Sequence, residues 1–277
     1  MKKIVLIFLT LMLSNCSPKL RSTILKTLPS LSENELVVVL SITDQQIINE
    51  EKIGEIKATD SGFSENCSYY ENIQSLKMLA RKAGANLIKI TRYNQANKFS
   101  TCDRLWADIY KVETPKKYES EIEWSKDRKL TWDDFKGKPN KEEFPDALAV
   151  TNSSIGYQSG INLFKNGKVF VQTLFYTNNS WYLPEGKNDY VLKHEQIHFD
   201  ITEIYSRMLR KALADANVTS NNNGKAEDIF NDIVSKWKER QEYYDYNTRY
   251  SKRKDTQEKW EAIIELELAK YDLYKSN

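Results

Sequence analysis

Both histidines of the 277-residue chain lie four residues apart, at His194 and His198, and Glu195 directly follows the first. On an α-helix, positions i and i+4 share a face, so two imidazoles at this spacing can grip one Zn²⁺ ion. A glutamate one residue on is placed to take a proton from a water that the ion activates. That chemistry is hydrolysis of an amide bond in a peptide or protein substrate. Glu195 serves as general base and then hands the proton to the leaving amine.

Two ligands do not complete a catalytic zinc site, which takes three protein donors. The chain has no third histidine, and Ile201 to Tyr205 supplies neither the glycine nor the histidine that lengthens some motifs of this kind. Asp200 and Glu203 sit more than about 100° round the helix from the histidines and read as supporting partners or surface charges. The third ligand must come from further along the chain.

A helix has to carry the motif. Asp189 can cap it, and Tyr190, Ile197, Ile201, Ile204 and Met208 fall on or beside the histidine face. The histidines therefore point inward, and the helix is expected to run from about 189 to 217. Before it stands a β-hairpin, with strands at 149–157 and 168–176 and a tight turn at Asn166–Gly167. The second strand, with the segment ending near Trp181, is the candidate edge for pairing an extended peptide. Two more helices follow, Ala226 to Tyr244 and Thr256 to Tyr274, with apolar stripes at Ile229, Phe230, Ile233, Val234 and Trp237, and at Trp260, Ile263, Ile264 and Leu268. The domain opens at Trp124, and the aromatics up to Phe135 read as core anchors.

The first half of the chain reads as a separate unit. Strands are expected at 36–40, 53–58, 87–90 and 105–110, with a helix at 74–83 closed by Gly84. Lys2 and Lys3 precede an apolar run from Ile4 to Leu13, and Leu-Ser-Asn-Cys ends at Cys16. This has the layout of a lipoprotein signal, in which Cys16 becomes the lipidated first residue. Cys67 and Cys102 then remain as an even pair in an exported protein, which favours a disulfide. The organisation is therefore 1–15 signal, 16–34 tether, 35–112 small α+β module, 113–123 linker and 124–277 hydrolytic domain. With 41 basic and 39 acidic residues the chain carries no basic field of the kind nucleic acid attracts.

Family resemblance adds to this. His194-Glu195-Gln196-Ile197-His198-Phe199-Asp200-Ile201, Glu203 and the basic stretch from Arg207 to Lys211 resemble the bacterial family known as domain of unknown function 922, as do the Trp124–Pro139 opening and Ala149 to Ile155. The resemblance spans about 122–268. It implies a zincin-like α+β domain, with a hairpin sheet and three helices and HExxH on the first of them, acting as a secreted zinc-dependent protease. The family pattern Tyr-Asp-x-x-Thr-x-His falls on Tyr244 to Tyr250, so Tyr250 occupies the histidine slot and becomes the expected third ligand. Asp245 is the alternative, and Glu227 or Glu242 would imitate glutamate-ligand zincins. Residues 50–112, with Ala-Arg-Lys-Ala-Gly-Ala-Asn between the two cysteines, resemble the domain of an outer-membrane lipoprotein that senses envelope stress.

The expectation is a lipid-anchored zinc metallopeptidase of the bacterial cell envelope, attached to the membrane only through its N-terminal lipid. The competing readings are a zincin-fold binding or scaffold lipoprotein without catalysis, and a sensor whose work lies in the N-terminal module.

Overall fold

The computed structural model describes residues 18–46, 48–60, 66–97, 100, 102–159, 169–219 and 224–276. The signal segment, Cys16 and the Asn166–Gly167 turn lie outside the described residues.

The N-terminal unit is a five-stranded sheet in the order β1-β3-β5-β4-β2, built from β1 (Lys19–Ile24), β2 (Val38–Leu40), β3 (Lys52–Thr59), β4 (Leu87–Asn94) and β5 (Arg104–Tyr110). Helix α1 (Tyr69–Lys82) crosses one face, and Leu76 and Ala80 pack with Ile56, Ile88, Ile90 and Ile109. Its start is fixed by a capping box. Ser68 Oγ accepts from the Glu71 N–H, and the Glu71 carboxylate accepts from the Ser68 N–H. Gly84 ends it at φ +79°. The Cys67–Cys102 disulfide joins the start of α1 to the start of β5, with the two Cα atoms 5.1 Å apart.

Two stretches are more ordered than their composition suggests. The 16–34 segment, expected as a tether, is folded from Lys19 onward. β1 pairs antiparallel with β3, and Leu28 and Leu31 pack against the core. The Leu31 N–H donates to the Arg81 carbonyl, so this segment covers the end of α1. The core contacts of Leu20, Leu28 and Leu31 outweigh its Ser and Pro content. The 113–123 linker is anchored at both ends. Tyr118 is buried with Val38, Leu40 and Leu87, and Glu121–Glu123 forms β6 of the second sheet.

The C-terminal unit holds an antiparallel sheet in the order β6-β9-β8, with β8 at Ser153–Ser159 and β9 at Val169–Tyr176. A two-residue ladder pairs β7 (Ala149–Val150) with β10 (Trp181–Tyr182). The single strand expected at 149–157 is thus broken at Thr151–Asn152, because its two halves pair with different partners. The expected edge strand is also reassigned. β9 is flanked on both sides, and the edges of this sheet are β6 and β8, of which β8 borders the cavity through Ser153.

Helices α2 (Asp189–Asp215), α3 (Ala226–Thr248) and α4 (Lys254–Lys270) complete the unit. The Trp124 to Phe135 opening secures the back of α2, as its aromatics suggested. Trp124 Nε1 donates to Asp200 at 2.7 Å, the Leu130 N–H donates to the Gln196 side chain at 2.8 Å, and Phe135 and Phe175 pack in one cluster with Phe199. Gly137 lets this segment approach closely, since a Cβ there would meet the Asn178 and Ser180 carbonyl oxygens at 2.8 Å.

Candidate metal centre

Helix α2 is capped one residue before the expected position, by Asn188 and not Asp189. The Asn188 side chain accepts from the Val191 N–H at 3.0 Å. From that start the 3.6-residue period turns Ile197, Ile201 and Ile204 into a core shared with Trp260 and Ile264 of α4. His194 is buried and His198 nearly so, as the inward-facing stripe required. Asp200 and Glu203 point away from the histidines. Neither is a surface charge. Asp200 receives Trp124 Nε1, and Glu203 lies in a buried network with Thr173, Arg207 and Arg210.

The decisive geometry is between α2 and α3. His194 Nε2 and His198 Nε2 are 3.2 Å apart, and each lies 3.1 Å from the same Asp245 Oδ1. Two donors bound at 2.0–2.2 Å to a tetrahedral zinc lie about 3.3–3.5 Å apart. A near-equilateral triangle of two imidazole nitrogens and one carboxylate oxygen therefore matches three ligands of such an ion in both size and chemistry. Among the described residues, His194, His198 and Asp245 form the group of His, Cys, Asp and Glu side chains able to share a metal.

Each member of the triangle is held by α3. His198 Nδ1 is 2.7 Å from Gln241 Oε1, and Gln241 Nε2 donates to the His198 carbonyl and to Thr202 Oγ1. Thr202 also meets Ser153 of β8 and receives Trp237 Nε1. Tyr244 is fully buried. It stacks on His194 at 4.6 Å between ring centroids and meets His198 edge-on at 4.9 Å, with Trp260 behind it. Gln241, Tyr244 and Asp245 occupy i, i+3 and i+4 of α3, one polar-aromatic stripe facing the HExxH face. That spacing is the sequence signal that could have found Gln241 and Tyr244, both missed.

Glu195 is 2% exposed, lines the cleft beside the histidines, and its Oε2 has no hydrogen-bond partner. Burial pushes its carboxyl pKa up. For His198, burial alone would lower the pKa, but the Asp245 carboxylate outweighs it and raises the imidazole to about 9. Asp245 is pulled the other way. Burial opposes ionisation there, yet the two imidazoles hold its carboxyl far below the ordinary range.

The centre opens into a cavity of about 600 Å³, walled by residues 143–153 on one side and by Trp237, Gln241 and their neighbours on α3 on the other. Tyr250, the third ligand expected from the resemblance, lines this cavity half-exposed. It sits on a left-handed turn with Arg249 and Ser251, at φ 50°, 51° and 65° across the three residues. Of the two candidates it is Asp245 whose carboxylate reaches both imidazoles. Glu242 stands at the cavity wall. Glu227 is about 27 Å from Asp245 along α3.

Residues 181–264 match the family described as a bacterial protein of unknown function, DUF922. The DUF922 segment runs from β10 into α4 and contains His194, Glu195, His198, Gln241, Tyr244, Asp245 and Tyr250. The Trp124–Pro139 opening and the N-terminal unit lie outside it. No curated protein and no solved structure matches the chain.

Proposed function

We propose that the chain is a zinc-dependent peptidase of the bacterial cell envelope, tethered to the membrane by a lipid on Cys16. The observation that carries this reading is the triangle of His194, His198 and Asp245 beside a buried Glu195 whose Oε2 has no hydrogen-bond partner. A zinc ion held by those three residues would supply Lewis acidity toward the substrate carbonyl and lower the pKa of water.

The protein's own residues account for the remaining requirements. Gln241 and Thr202 fix His198, and Tyr244 fixes the plane of His194, so neither ring has to reorganise during turnover. Glu195 accepts a proton as the water oxygen bonds to the acyl carbon. It delivers that proton to the amide nitrogen as the C–N bond breaks, leaving a carboxylic acid and an amine. The raised Glu195 pKa suits a group that must take up and release a proton near neutrality.

An extended substrate has a place to lie. In the β8–β9 register, Asn152 and alternate residues after it bond toward β9, as the Tyr176 N–H to Asn152 carbonyl contact of 2.9 Å fixes. The main-chain groups of Ser153, Ile155 and Tyr157 then face the open edge, and Ser153 lines the cavity. A peptide added there would run past Glu195 with its backbone paired.

A second reading has its own support. Asp245 already pairs with Nε2 of both imidazoles, so a proton shared there would close the centre in a binding protein that does no chemistry. Zinc content decides. The purified full chain is expected to carry close to one equivalent of zinc by mass spectrometry, and Asp245→Ala should lose most of it while Tyr250→Phe retains it. A wild-type chain with under a tenth of an equivalent after zinc loading would end the peptidase reading.

A further inference from the structure

The chain is nearly neutral, at +2 overall, but its cleft is not. The lining contains five carboxylates (Glu143, Asp146, Glu195, Glu242 and Asp245) and one ammonium, Lys238. A divalent ion at the centre would balance Glu195 and Asp245. It would leave Glu143, Asp146 and Glu242 around the mouth against the single Lys238 ammonium, a net charge of −2 in the lining. Their ties are slight: Glu143 accepts from the Asn140 side chain at 3.0 Å, and Asp146 has only the Lys252 ammonium at 4.0 Å. Glu143 and Asp146 stand on one wall and Glu242 on the opposite one, so the charge flanks whatever enters. A concave, low-dielectric mouth concentrates such a field more than a flat surface does.

From this we propose that the cleft selects peptide segments carrying lysine or arginine within a few residues of the reacting bond. Glu143, Asp146 and Glu242 act as the specificity determinants. The proposal rests on the cleft being a peptide site, as the peptidase reading holds. Two observations independent of the acidic residues point to a ligand there. Glu195 is buried with an unpartnered oxygen in the cleft, and β8 offers an open main-chain edge beginning at Ser153. Between the acidic side chains, Phe144, Pro145 and Trp237 provide apolar wall on which the methylene stem of a lysine or arginine can lie. An acidic peptide would meet repulsion from Glu143 and Asp146 on one wall and from Glu242, partly offset by Lys238, on the other.

The test uses the full chain with Glu195→Gln, zinc-loaded, so that binding is read without cleavage. Two fluorescein-labelled octapeptides, identical except for two lysines or two glutamates at central positions, are titrated by anisotropy. The lysine peptide should bind about tenfold more tightly, the combined effect of three partly exposed charges of modest individual strength. Raising salt to about 0.5 M should shrink that ratio severalfold. Adding Glu143→Lys, Asp146→Lys and Glu242→Lys should abolish or invert the preference, and the matching Gln, Asn and Gln set should bring it near unity. Thermal unfolding of each variant controls for folding. Equal binding of the two peptides, preference for the acidic one, no binding of either, or a ratio untouched by the charge reversals would overturn the proposal. A wild-type chain that cleaves nothing but keeps the lysine preference would remove the peptidase reading and leave this one. A chain that cleaves both peptides equally well would do the reverse.

Discussion

Replacing Glu195 with glutamine should abolish hydrolysis and make the metal-free protein more stable. The side chain is 2% exposed, and Oε2 has no partner. A buried polar atom left unpaired costs about 1–3 kcal/mol, and more when the group is charged. Glutamine has the same shape and keeps an unpaired polar atom, but it removes the charge. The recoverable part is therefore about 1 kcal/mol, or roughly 2–4 °C in Tm for a unit of this size. The sign of the pH dependence follows from the direction of the shift. Burial raises the folded-state pKa of Glu195, so the wild type matches the glutamine variant where the carboxyl is protonated in both states, below about pH 4.3. It falls behind as pH rises through the raised value. Differential scanning calorimetry on chelator-treated protein at pH 4.5 and pH 7 measures both points. A glutamine variant less stable than wild type at pH 7, or a difference independent of pH, would show that Glu195 is a structural residue and refute the argument.

Three further outcomes are expected. Gln241→Ala should weaken zinc binding about 10- to 100-fold by competitive chelator titration, because it releases His198 Nδ1 while leaving all three donors in place. Replacing Cys67 and Cys102 with serine should destabilise the N-terminal sheet by about 3–4 kcal/mol in a denaturant titration, the loop-closure value for the 35-residue separation. In the metal-free chain, the His198 pairing with Asp245 contributes stability that is complete below about pH 6.5 and lost as pH rises through about 9. The Tm of chelated wild type should therefore fall over that window, and His198→Ala should show a flatter profile.

How far the site could be read from sequence depended on how local each part is. His194, Glu195 and His198 sit within one turn or so of a single helix, so their shared face follows from the helical period alone. Asp245 is brought to them only by the packing of α3 against α2, a contact 47 residues long in sequence that no local pattern encodes. The resemblance put the third ligand at Tyr250, which lines the same cavity, whereas Asp245 is the residue whose carboxylate lies 3.1 Å from both imidazoles. The disulfide followed from counting the cysteines left after Cys16 in a chain read as exported. The strand assignments failed where pairing is non-local. Ala149 to Tyr157 has uninterrupted extended character, but its halves belong to different ladders. Lys19–Ile24 looked like a tether because its role as a strand exists only beside β3.

The Cys67–Cys102 bond and the α2–α3 triangle have a joint consequence for how the molecule fails. One ties residues 35 apart in the N-terminal unit, and an ion shared by His198 and Asp245 would tie residues 47 apart in the C-terminal unit. By the same loop-closure reasoning each link would restrict its unfolded ensemble by about 3–4 kcal/mol. The chemistries that undo them are unrelated. A reductant opens the first and leaves the second, while a chelator or an acid shift does the opposite. Each half would thus weaken under its own chemical insult, so reductant and chelator applied separately would each lower the melting temperature of one unit and leave the other's unchanged.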